Sequence, residues 1–359
     1  METKIPKSRI AGVQSVMPVE VTQHRKVRSI SVGDAVGAGI FRRTLNIVTY
    51  YKEAGDVSGE KAWLVAGWIK ESLGRALAEQ PMLSGRLRRM KTAAEGGFEV
   101  VPNDSGVRLL EAQFPASLPE FLEMVKKDKS RAEAETVFWK DIDEDEPQYS
   151  PLFYVQVTNF ESGGYSVGIS CSILLADLLL ETDFLTKWVQ IQSSLAHSQT
   201  TAVKPIFYLP SLKQDYKKFL TEFTRSASVL DRGEPVVLRA KTCLKMSPAC
   251  IVARKKTSAD VFLFVKELGY GDSGTVCAGM KVEIHPSRDE AISDCDCGGD
   301  LEETDDGVIN KNLAFGERLE ITSCWVGSVS KGVVFAVPSA FGDAKSKSLA
   351  KFIVALPKD

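Results

Sequence analysis

The sequence predicts an α+β protein, with mixed α/β layers rather than a doubly wound parallel sheet. Three observations carry this expectation. Strand-like and helix-like segments mix in both halves without a strict βαβ rhythm. At 359 residues the chain is longer than one ordinary domain. A polar stretch at 198–204, followed by "PIFYLPSL", separates two halves of similar style. The expected division is a first domain over 1–197, a crossover over 198–225 and a second domain over 226–359.

The elements follow in order. In "RSISVGDAVGAG", Ser31-x-x-Asp34 fits a helix start, where a serine hydroxyl accepts from a free first-turn amide. "RTLNIVTYYKE" is rich in β-branched and aromatic residues and reads as a strand. Residues 59–80 carry apolar side chains at helical spacing and stop at Pro81. "GGFEVVPNDSGVRLLEAQF" reads as two strands around an Asn-Asp-Ser-Gly turn. "LPEFLEMVKKDKS" reads as a helix. "LFYVQVTNF" and "YSVGISCSI" read as strands around a Ser-Gly-Gly turn, and "LLETDFLTKWVQIQSSLAH" as an amphipathic helix. In the second half, "PVVLRAKTCLKM" and "TVCAGMKVEIH" read as strands and "SADVFLFVKELG" between them as a helix. "ERLEITSCWVG", "GVVFAVPS" and "LAKFIVALP" close the chain as strands.

Composition narrows the function classes. Apolar residues make up 44% and charged residues 26%, which is ordinary globular material. A net charge of -2 gives no ground for a nucleic-acid or acidic-membrane surface. The seven scattered cysteines point to a reducing compartment rather than a disulfide framework. No stretch reaches the apolar length of a membrane span. The early charges in "METKIPKSRIAG" are not those of a secretory signal. The expectation is a cytoplasmic, monomeric protein, peripheral to a membrane only through partners.

Several motifs resolve to plain readings. "GDSG" at Gly271–Gly274 suits a nucleophile loop, but such a serine needs a histidine base. His24, His197 and His285 stand in no matching context, so turn chemistry is the better reading. "GDAVGAG" at Gly33–Gly39 lacks the spacing of a dinucleotide loop. Cys295 and Cys297 form one C-x-C in an acidic loop, and a structural zinc site wants two pairs. "DIDEDEP" at Asp141–Pro147 reads as a solvated loop.

One family resemblance runs through the first half. "SVGD" (31–34), "QPMLSGRLRR" (80–89), "NDSGVRLLEA" (103–112), "SPLFYVQVTNFESGGYSVGIS" (150–170) and "PIFYLPSL" occur in the order of landmarks in the plant BAHD acyltransferase family. The match spans residues 14 to 215, and the second half is similar only loosely. The resemblance implies two related domains of mixed sheet flanked by helices, chloramphenicol-acetyltransferase-like, with the second domain reduced. In that family the Gly-rich turn leads into H-x-x-x-D. The histidine takes the proton from an acceptor that attacks an acyl-CoA thioester, since a base near neutral pKa suits the task.

Here "ILLAD" fills the motif. Asp177 is present, Ile173 stands where the histidine belongs, and Leu178 replaces the following glycine. Loss of a general base typically removes a factor of about 10²–10⁴ in rate. Ser172 and Cys171 are the neighbouring alternatives, and a serine without a base accepts protons poorly. The plain reading of Ile173 is a buried apolar residue in a strand-to-helix corner. The family aspartate is structural and pairs with an arginine of a later strand. The similar stretch here, "AGMKVEIHP", makes Lys281 the expected partner of Asp177, without the arginine fork. "LEITS" (Leu319–Ser323) stands at the family's D-F-G-W-G.

The "KGVV…P" ending is most similar to the Eceriferum branch. That likeness implies an accessory role in fatty-acid elongation, an acyl ligand and a partner such as a fatty-acid condensing enzyme, near the endoplasmic reticulum. It implies no required cofactor and no metal. The alternative is an active acyltransferase or lyase that uses coenzyme A thioesters at a non-histidine site.

Overall fold

The computed structural model describes residues 5–22, 27–33, 36–52, 61–90, 97–180, 183–197, 224–241, 260–270, 276–285, 302–303, 318–328, 331–337 and 349–356. Among them the chain forms two mixed sheets and a few helices, an α+β architecture. The first sheet runs, in spatial order, β1 (Arg9–Val16), β6 (Val107–Ser117), β7 (Phe153–Glu161), β8 (Tyr165–Ser172), β3 (Thr44–Tyr51), β14 (Arg318–Gly327) and β9 (Arg232–Gly233). The second runs β13 (Glu302–Glu303), β10 (Pro235–Lys241), β16 (Leu349–Ala355), β15 (Gly332–Val337), β11 (Val261–Tyr270), β12 (Val276–His285), β2 (Arg28–Val32), β5 (Phe98–Val101) and β4 (Arg86–Arg89). Each sheet takes strands from both halves of the chain. The expected crossover at 198–225 lies almost wholly outside the described residues.

The helices are α1 (Lys61–Glu79), α2 (Leu118–Lys127), α3 (Lys129–Ala134), α4 (Ala176–Leu180) and α5 (Phe184–His197). Helix α2 starts where Ser117 and Glu120 cap each other reciprocally. Helix α1 packs beside α5 and over β1, β6 and β7. The indole N–H of Trp188 donates to Ser72 Oγ at 2.9 Å and joins the two helices.

Three sequence expectations are corrected. "RSISV" is strand β2 and not the cap of a helix; Asp34 lies outside the described residues. "SADVFLFVKELG" holds strand β11, not a helix. Its Val-Phe-Leu-Phe-Val core is enriched in strand formers, and β11 is paired on both sides, by β12 and β15. Fully buried strands read as continuous apolar runs, which periodicity alone cannot tell from a helix. The helix expected from Leu179 to His197 is interrupted, with α5 beginning at Phe184. "GDSG" and the Cys295/Cys297 loop lie outside the described residues.

The centre of the first sheet has two unlike faces, as strand alternation dictates. The β3–β8 register pairs Leu45 with Cys171, Ile47 with Ile169, Thr49 with Val167 and Tyr51 with Tyr165. This mostly apolar row faces α5, where Phe153 meets Phe184 edge-on at 6.4 Å. The other row pairs Thr44 with Ser172, Asn46 with Ser170, Val48 with Gly168 and Tyr50 with Ser166. It is largely polar and fully buried. Ser170 Oγ donates to Asn46 Oδ1 at 2.7 Å, and Asn46 Nδ2 donates to Thr44 Oγ1 at 2.8 Å.

Gly168 explains how the chain beyond α3 packs onto the polar row. A Cβ there would stand 2.0 Å from the Thr136 carbonyl oxygen, which is backbone and cannot rotate away. Gly168→Ala is therefore expected to destabilise the fold by roughly 1–3 kcal/mol or more. A urea unfolding midpoint equal to wild type would contradict this packing. The Ser-Gly-Gly turn before β8 has positive φ at Ser162, Gly163 and Gly164. At Gly164 a side chain would also meet Leu118 at 2.8 Å.

Candidate functional site: a corner between the sheets

Strand β8 ends at Ser172, a single 3-10 turn covers Ile173–Leu175, and α4 follows at once. The turn is fixed by its own backbone. The Ser172 amide donates to the Leu152 carbonyl at 2.8 Å, and the Ile173 amide donates to the Arg43 carbonyl at 3.0 Å. Ser172 Oγ accepts from the Leu174 amide at 3.4 Å, so the hydroxyl caps the turn. Ile173 is 2% exposed and belongs to the hydrophobic core with Leu174, Leu175 and Ala176.

Cys171 is fully buried. Burial pushes its thiol pKa well above the usual range, and the Asp177 carboxylate adds to that. Such a thiol is a poor nucleophile. Cys171 is expected to stay unalkylated by iodoacetamide at pH 8 in the native protein and to react after unfolding. Peptide mapping that finds it modified in the native state would contradict the described burial.

Asp177, the second residue of α4, is 1% exposed, as a structural role requires. Its cation differs from the expectation. Arg28 Nη1 donates to Asp177 Oδ1 at 2.8 Å and to Oδ2 at 2.9 Å, and Arg28 is itself 3% exposed. The expected partner, Lys281, pairs instead with Glu283 at 2.7 Å at a half-exposed position. The physical reason lies in the topology. Strand β2 runs parallel beside β12, with Ser31 opposite Lys281, so the neighbouring strand delivers a guanidinium to the carboxylate. An arginine suits a buried pair better than an ammonium, which is more strongly hydrated.

A second buried arginine stands on the other side of the corner. Arg43, 3% exposed, donates through Nη1 to the Gly39 carbonyl. Its guanidinium carbon lies 3.6 Å from the centroid of the Phe262 ring on β11. Burial lowers its pKa to about 10. The two arginines span the sheets in opposite senses. Arg28 reaches from the second sheet to Asp177, and Arg43 reaches from the first toward Phe262. Lys331, ion-paired with Asp260 at 3.2 Å, lies 5.6 Å from the same ring.

A further buried cluster ties "LEITS" into the fold. Glu133, fully buried, accepts from Arg232 Nη1 at 2.8 Å and from Ser323 Oγ at 2.5 Å. The Arg232 guanidinium also stacks 4.2 Å over Trp325. Sequence reading missed Arg28, Arg43, Glu133 and Arg232. One signal was available for Arg28: it shares the inward parity of β2 with Ile30, and a charge on a buried parity needs a partner.

Chemically, the corner offers a capping hydroxyl, a thiol raised by burial, a paired carboxylate and an isoleucine. Among the described residues no cluster of histidine, cysteine, aspartate or glutamate could hold a metal. No described helix is long and apolar enough to cross a membrane.

The Transferase family model matches residues 13–229. A hydroxycinnamoyl-CoA:piscidic acid hydroxycinnamoyltransferase of Actaea racemosa is 33% identical over 175 residues, covering 48% of this chain and 36% of that protein. Protein ECERIFERUM 2 of Arabidopsis thaliana is 25% identical over 200 residues, covering 54% of this chain and 44% of that protein. The chain thus spans less than half the length of these curated relatives. Among solved structures, vinorine synthase superposes with a TM-score of 0.42 at 14% identity, covering 98% of this chain and 95% of that one.

Proposed function

The chain belongs to the Transferase family, the plant BAHD acyltransferases, and from that premise we propose that it is a non-catalytic member that binds acyl ligands or protein partners. The observation that carries this reading is the burial of Ile173, the residue that the family resemblance puts at the proton acceptor's position. General-base catalysis needs a group of suitable pKa within hydrogen-bond reach of the nucleophile. The neighbours do not replace it. Ser172 is used as a cap, and the Cys171 thiol is raised by burial.

Acyl thioesters are the ligand class this reading favours. Relatives named for hydroxycinnamoyl-CoA support an aromatic acyl group. The relatives named ECERIFERUM support the accessory reading, in which a fatty-acid condensing enzyme is the proposed partner. Residence in the cytoplasm, at the face of the endoplasmic reticulum, belongs to the same proposal.

The test is a gain of function. Wild type is expected to transfer no acyl group from hydroxycinnamoyl-CoA or a long-chain acyl-CoA to alcohol and amine acceptors. Ile173→His supplies the missing base and is expected to raise transfer above that background. Brisk wild-type turnover that is unchanged by Ser172→Ala and Cys171→Ala would defeat the proposal.

A further inference from the structure

We propose that Ser8 is a phosphorylation site for a serine/threonine kinase that selects basic sequence, and that the phosphate releases the segment before β1 from Glu135. The sequence around it is "KIPKSR", with lysines four places and one place before the serine and an arginine directly after it. A kinase with an acidic substrate groove recognises such a segment by charge. Lys7 and Arg9 are exposed, and Ser8 is half-buried. The pairing of β1 with β6 begins at Arg9 opposite Gln113, so lifting Ser8 out breaks no ladder pair. Segments outside a ladder open locally at low free energy.

Ser8 docks on Glu135, the residue directly after α3. The Ser8 amide donates to Glu135 Oε2 at 2.7 Å, and the Ser8 hydroxyl donates to the same oxygen at 2.8 Å. Arg225 faces both groups. Its Nη1 donates to Glu135 Oε2 at 3.1 Å and its Nη2 to Ser8 Oγ at 3.2 Å. The guanidinium is also fixed independently of Ser8, since Nε donates to the Val137 carbonyl at 2.6 Å and Nη2 reaches Gln156 Oε1 at 3.4 Å. The kinase step forms a bond from Ser8 Oγ to the γ-phosphorus of Mg-ATP and breaks the bond from that phosphorus to the β–γ bridging oxygen. The hydroxyl proton goes to the kinase's base, and ADP leaves. The product has lost the O–H that Glu135 accepted and carries a charge of about −1.5 to −2 beside that carboxylate. Lys7 and Arg9 are exposed, where water and salt screen them. One guanidinium cannot balance both anions, so like-charge repulsion drives the segment off Glu135. With residue 135 neutral, the same guanidinium is free to hold the phosphate.

The experiment incubates the natively folded full chain with Mg-ATP and the catalytic domain of protein kinase C, which selects basic residues on both sides of a serine. Mass spectrometry is expected to place a phosphate on Ser8, and to find it lost when Lys7→Glu and Arg9→Glu are combined. In NMR hydrogen exchange, the Ser8 amide is expected to exchange about tenfold faster or more once phosphorylated, the effect of losing a hydrogen bond to a charged group. In Glu135→Gln, phosphorylation is expected to leave Ser8 exchange no faster, because the repelling charge is gone. Should that variant fail to unfold cooperatively, the wild-type amide decides. Absence of phosphate on Ser8 of the native chain, or a Ser8 amide unchanged by phosphorylation, overturns the inference. Equal acceleration in Glu135→Gln overturns it too, since repulsion by Glu135 would then not be the cause of release.

Discussion

Asp177→Ala is expected to lower the unfolding free energy by about 3–5 kcal/mol, because it strands a guanidinium among apolar side chains. The partner is 3% exposed, so water cannot take the carboxylate's place. Arg28→Met strands the carboxylate instead and is expected to cost a similar amount. If the two act as a pair, the double variant loses less than the sum of the singles, since neither charge is then left alone. Lys281→Met serves as the control. Its ion pair is half exposed, which is worth about 0–1 kcal/mol. Urea titrations of the four variants decide the matter. Additive losses for Asp177 and Arg28, or a large loss at Lys281, would remove Arg28 as the structural partner.

Glu133→Ala is the second change expected to have a large effect, again about 3–5 kcal/mol for breaking a buried ion pair. Glu133 on α3 receives Arg232 of β9 and Ser323 of β14, so it joins segments nearly two hundred residues apart in sequence. Among the described residues, its loss leaves Arg232 buried with the Trp325 ring and one long contact to the Lys129 carbonyl at 3.4 Å. Glu133→Leu combined with Arg232→Met replaces both charges by apolar groups. That double variant is expected to recover most of the stability, as hydrophobic replacements of buried pairs often do. Loss of stability that persists in the double variant would show that shape, not charge, is what the cluster supplies.

The strands that build the corner were legible because their residues alternate or cluster in ways a pleated sheet requires. Thr44–Tyr51, Phe153–Glu161 and Tyr165–Ser172 are such segments, and the Ser-Gly-Gly turn announced the hairpin that joins the last two. The position of Ile173 just past the end of β8 was legible for the same reason. Strand β11 was misread because a continuous apolar run carries no period to distinguish strand from helix. The partner of Asp177 was not legible, since Arg28 lies 149 positions away and the pairing depends on which strand neighbours β12. Local pattern fixes the face on which a charge sits. Sheet order decides what that charge meets, and sheet order is a property of the whole fold.

The most direct measurement is the release of free thiol from acyl-CoA by wild-type protein with an acceptor present, followed from pH 6 to pH 9. If Ile173 stands at the base position, as proposed, the rate is expected to match the protein-free background at every pH. A rate above background that rises with an apparent pKa between about 6 and 8 would reveal a working base, and would contradict the account of Ile173.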